Sequence, residues 1–166
     1  MKNKLFFTYG FYLSVVAILG LYLTTFVEPK SFIAGVIGIL TKLVIVYLIY
    51  TGILEYFRQT GESMTFGNIF KSGFFMALIG AVLFAVFVFL FYEYIMPDYR
   101  EALIEQGIQQ MKEQGKLSEE QLEMSIETTK KYFSYFAMIG ALLDMLIVGT
   151  VSAILIGLWK RERTME

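Results

Sequence analysis

The chain has 166 residues, of which 57% are hydrophobic, 17% aromatic and only 17% charged. A soluble domain of this size carries about a quarter charged residues, so the composition belongs with membrane proteins. The net charge of −1 offers no basic surface for nucleic acid, and the absence of Cys and His excludes thiolate and disulfide chemistry, His-dependent triads and His-ligated metals.

Taken in order, the chain opens with Lys2 and Lys4 before an uncharged run from Leu5 to Phe26. At ~1.5 Å per residue that run crosses a hydrocarbon core of ~30 Å. It is too long for the apolar part of a signal peptide, and Thr24-Thr25-Phe26 is not a small-residue cleavage site, so it reads as a retained first span. Pro29 breaks the helix. A second span, residues 32–54, is interrupted only by Lys42. So short a link makes spans one and two an antiparallel pair.

Residues 55–72 are polar and aromatic by turns. Arg58, Gly61, Glu62 and Ser63 read as a loop. Thr65 is placed to cap a helix that carries Phe66, Ile69, Phe70 and Phe74 at helical spacing. An interfacial turn with Lys71 near the headgroups is expected to lead into the third span, residues 73–94. The aromatic run from Phe84 through Phe87, Phe89 and Phe91 to Tyr92 is expected on the lipid face.

Residues 98–131 form the long hydrophilic stretch. Tyr99, Leu103, Ile104, Ile108 and Met111 fall near one helical face. Gly115-Lys116-Leu117 reads as a turn. Ser118 and Gln121 make a capping box that starts a second helix, with Leu122, Ile126 and Phe133 on its apolar side. The expectation is an extramembrane helical hairpin. A fourth span, residues 133–159, ends at Trp159 as an interfacial anchor before Lys160-Arg161-Glu162-Arg163. The fold class expected is all-α, an integral membrane bundle of four transmembrane helices with that hairpin between spans three and four.

The chain resembles the four-span inner-membrane proteins of unknown function common in Bacteroidota. Thr65-Phe66-Gly67, Phe70-Lys71-Ser72-Gly73-Phe74, the stretch from Tyr92 through Pro97 to Asp98, and Leu117-Ser118-Glu119-Glu120-Gln121 carry the resemblance. It implies a bundle with both termini inside and no established activity, and it supplies no catalytic residues.

The charges give the same orientation. With four spans, seven basic residues (Lys2, Lys4, Arg58, Lys71, Lys160, Arg161, Arg163) share the terminal side and six (Lys30, Arg100, Lys112, Lys116, Lys130, Lys131) the other. The seven lie mostly in short flanks, where the positive-inside rule counts them. The expected localisation is the inner (plasma) membrane, multi-pass, with cytoplasmic termini.

Two charges lie deep within apolar runs. Lys42 is ten residues beyond Phe32 and Asp144 eleven beyond Phe133, about 15 and 16 Å deep on helices running the same way. An unpaired charge there costs at least ~2.5–3.5 kcal/mol, so mutual pairing inside the bundle is expected. The pair reads either as a proton- or ion-coupled site or as a structural device that fixes helix register, and the second needs no polar pathway.

Small residues recur every four positions at Gly73, Ala77, Ala81 and Ala85, and again at Gly149, Ala153 and Gly157. Such rows let helix backbones approach closely. They suit either contact between spans three and four or a homodimer seam.

Walker, GxSxG, HExxH and EF-hand patterns are all missing. No catalytic residue, metal ligand or cofactor site is therefore assigned, and an enzyme is not expected. The first functional reading is an accessory or scaffold protein of the cell envelope. Its partners would be the lipid bilayer and either further copies of itself or another envelope protein. The alternative is a small oligomeric transporter or channel using Lys42 and Asp144.

Overall fold

The computed structural model describes residues 2–28, 31–114 and 118–163. Among them there is no strand. The helices are α1 (Lys2–Thr24), α2 (Phe32–Thr60), α3 (Phe66–Leu90), a π-helical turn (Phe91–Ile95), α4 (Pro97–Gln114) and α5 (Glu119–Arg163). Four of the helical stretches are long and apolar enough to cross a membrane: Asn3–Thr24, Phe32–Thr60, Phe66–Ile95 and Glu120–Lys160.

Each helix end has a local cause. Thr24 and Thr25 close α1 by donating their hydroxyls to Leu21 and Tyr22 carbonyls at 2.6 and 2.7 Å, which covers acceptors the helix leaves open. The Ser31 hydroxyl accepts from the Ala34 amide at 3.1 Å and caps α2. At the far end Gly61 adopts φ +65° and donates to the Phe57 carbonyl at 3.0 Å, the left-handed stop that glycine adopts most readily. The helix therefore runs past Leu54 and takes in Arg58, which was expected in a loop. Thr65 accepts from Asn68 through its hydroxyl and from Ile69 through its carbonyl. Residues 66–72 are continuous with α3.

The chain divides into two compact units. The first comprises residues 1–84 with 141–166 and contains α1, α2, most of α3 and the C-terminal half of α5. Its core gathers Leu13, Ile49, Ile53, Ile69, Met76, Met145 and Ile156. Alpha-carbon backbones come close where glycines remove the side chain. A Cβ on Gly73 would stand 2.8 Å from Ala153 Cβ, and one on Gly149 would overlap Ala77 Cβ. Gly157 lies against Phe66 in the same register. The small-residue rows thus meet within one chain, antiparallel. Ala81 is fully buried as well, and a Cβ on its neighbour Gly80 would strike Met145.

The second unit is residues 85–140. Here Met96 donates to the Phe91 carbonyl at 2.8 Å, a five-residue closure that defines the π turn. Pro97 explains the break. Its ring removes an amide and disfavours helical backbone at Met96 (φ −136°, ψ 60°), yet suits the first position of a new helix. Phe91 and Tyr92, expected among lipid, are buried. Tyr92 continues the stripe Ala81, Ala85 and Val88, which share one face at 3.6 residues per turn, and Phe91 is buried on the adjoining side. Tyr92 stacks on Tyr99 and meets Phe133 edge-on at 5.2 Å between ring centroids. Ala85 is buried too.

Arg100 ties this unit together. It donates to the Lys130 carbonyl at 3.0 Å and lies 3.7 Å from the Glu93 carboxylate. Ile104 is buried on α4, with Leu103, Ile108 and Met111 half-buried beside it. Ser118 and Gln121 exchange hydrogen bonds at 3.2 and 3.3 Å and start α5. The expected turn at Gly115-Lys116-Leu117 lies outside the described residues.

The Gly149 contact yields a stability test. Gly149→Ala should destabilise the fold by about 1–3 kcal/mol through overpacking. Gly140→Ala, where a Cβ would meet nothing within 4 Å, should instead be neutral or mildly stabilising, since Ala is the better helix former. Denaturation midpoints in detergent, measured side by side, give the comparison. Equal responses at the two positions would contradict the close contact.

Candidate functional site

Lys42 and Asp144 are brought together in the first unit. The Lys42 ammonium donates to Asp144 Oδ1 at 2.9 Å, linking α2 to α5. The link follows from register. Lys42 stands ten residues beyond Phe32 and Asp144 eleven beyond Phe133, nearly the same depth on helices running in the same direction, so the side chains meet without bending either backbone.

The pair is not enclosed within the bundle, as burial of two charges would require. Its side chains are 52% and 58% exposed. The cause lies in the packing around it. From Ile45 onward α2 places Ile45, Ile49, Ile53, Tyr56 and Phe57 in the core, whereas none of residues 32–44 is buried. Where α2 leaves the core, a cleft of about 210 Å³ opens. Ala17, Gly20 and Thr24 of α1, Gly38, Thr41 and Lys42 of α2, and Asp144 and Met145 of α5 are in its walls. The threonine hydroxyls are turned back onto their own helices, Thr41 to Ile37 at 2.8 Å and Thr24 to Leu21 at 2.6 Å. The ion pair is therefore the cleft's main polar feature.

Gly20 and Thr41 were not singled out from the sequence. A Cβ on Gly20 would strike the Thr41 side chain, and one on Gly52 the Tyr9 ring. These contacts fix α1 on α2. A signal was present: Gly10, Ser14, Ala17 and Gly20 recur along one face of α1, the small-residue pattern already read in α3 and α5. Among the described residues, no three or more acidic side chains converge where they could hold a metal ion.

The geometry defines a class first: a helical protein with four helices apolar enough for membrane spans, consistent with a multi-pass membrane protein. The chain belongs to a family described as "Protein of unknown function (DUF4199)", whose model matches residues 8–162. No curated protein matches it, and neither does any solved structure.

The pair can be tested by a double-mutant cycle in detergent. Lys42→Met and Asp144→Asn should each lower the denaturation midpoint, because each leaves one charge without its partner. The double variant should recover much of the loss, with a coupling of about 0.5–3 kcal/mol. Strictly additive losses would mean that the two side chains do not interact in the folded protein.

Proposed function

We propose that the chain is a non-enzymatic accessory or scaffold protein of a bacterial inner membrane, Bacteroidota by the resemblance above. Its termini lie in the cytoplasm and residues 98–131 outside, as a helical hairpin that contacts another envelope protein. The observation that carries this reading is the order in the polar stretch. Its helices are anchored by Arg100 on Lys130 and Glu93, and α4 keeps Ile104 buried while Glu101 and Glu105 are exposed. A polar segment held in one conformation offers a partner a surface whose ordering cost is already met.

A second reading has its own support. The cleft beside Lys42 and Asp144 has ionisable groups in its wall, and such groups in spans often mark solute or proton pathways. Transport would then be the function and the polar stretch an appendage.

Orientation is tested with fusions. A reporter active only in the cytoplasm should work at Glu166, and one active only outside should work at Gly115. Silence of both fusions would reverse the orientation. Function is tested by affinity purification in mild detergent. The scaffold reading expects an envelope protein at fixed stoichiometry, and expects Glu101→Lys with Glu105→Lys to release it. Proton or solute flux in proteoliposomes, abolished by Asp144→Asn with no copurifying protein, would replace scaffolding with transport.

A further inference from the structure

The exposed ion pair leaves hydrogen-bonding capacity unused. An ammonium has three donors and a carboxylate about four acceptor sites, and one of each is engaged in the contact between Lys42 and Asp144. At mid-depth in a bilayer, hydrocarbon can satisfy none of the remainder. The surroundings are equally uncovered. Only 11% of the most apolar stretch of α2 is buried, against 39% for α3. Gly35 and Gly38 share a helical face with Lys42, and a Cβ at either would meet nothing within 4 Å. Ile39 and Leu43 are exposed beside them.

We propose that this face docks a second copy of the chain about a two-fold axis along the membrane normal, each Lys42 reaching the partner's Asp144. Charge complementarity selects the occupant. The face carries one cation and one anion at equal depth, and rotation about the normal leaves every residue at its own depth. A second copy thus presents an anion to each cation without any further requirement, the self-complementarity of an isologous interface. A different protein would need its own cation and anion at that level with matching spacing, and lipid chains supply neither. The bare backbone at Gly35 and Gly38 lets a partner helix come close, as small residues do at helix interfaces in membranes. Each ammonium would then lie between two carboxylates, and the four-charge cluster would be neutral.

Because the chain has no cysteine, single substitutions report proximity cleanly. In native membranes under mild oxidation, Gly35→Cys should give a disulfide-linked dimer of this chain. Phe11→Cys, on an exposed position of α1, should stay monomeric. In the Gly35→Cys background, Lys42→Asp alone and Asp144→Lys alone should each lose the dimer, since each copy then presents two like charges. Co-expression of the two, differently tagged, should restore a mixed dimer. A monomeric Gly35→Cys protein, equal linkage at Phe11→Cys, or linkage to a different protein would overturn the proposal. So would failure of the co-expressed pair to link when both accumulate in the membrane. If the charge variants do not accumulate, the comparison of Gly35→Cys with Phe11→Cys decides by itself. None of these readouts depends on what residues 98–131 bind.

Discussion

The close approach of α3 and α5 at Ala77 and Gly149 is the contact on which the first unit depends. Lipid gives helices no hydrophobic reason to associate, so close packing and a few polar contacts must hold them. Where Gly149 meets Ala77, the missing side chain lets the backbones approach. The same register then places Gly73 on Ala153 and Gly157 on Phe66. A slip of one residue would put a side chain where the backbone now passes. That register also decides where Asp144 stands along α5, and so whether Lys42 can reach it.

The ion pair sits where this packing gives way. Below Ile45, α2 fills the core with branched and aromatic side chains. Above it, glycines and Thr41 line a cleft, and the pair stands at its edge. Two charges enclosed among apolar side chains would lose hydration that their attraction does not fully restore. An open edge, where further donors and acceptors can approach, lowers that cost. The loosely packed half of α2 and the half-exposed pair go together, since none of residues 32–44 is buried and large side chains there, Ile39, Leu40 and Leu43 among them, are exposed.

In the second unit the ordering device is proline. Pro97 removes one amide from the ladder, the π turn shifts the hydrogen bonding by one residue, and α4 begins. Tyr92 is then held between Tyr99 and Phe133. Arg100 reaches the Lys130 carbonyl across thirty residues of sequence. An arginine at this place couples the start of α4 to the course of α5.

Helix existence was legible in the sequence because it depends on local chemistry. Runs of twenty or more apolar residues and the hydroxyls of Thr65 and Ser118 act over one or two turns, and composition and spacing display them directly. The Ser31 cap and the Gly61 stop act as locally, yet α2 was expected to end near Leu54. The meeting of Lys42 with Asp144 was nearly as legible, since depth along a straight helix follows from counting residues, whereas the small-residue rows suited either a contact between spans three and four or a homodimer seam. The tertiary structure alone decided which way each helix turns its faces. Counting residues gives depth but no rotation. Aromatic composition therefore suggested lipid for Phe91 and Tyr92, both of which are buried, Tyr92 in helical phase with Ala81, Ala85 and Val88. The pairing of opposite charges likewise suggested enclosure for Lys42 and Asp144. Their exposure follows from the cleft lined by Gly20 of α1 and by Gly38 and Thr41 beside Lys42 on α2 itself.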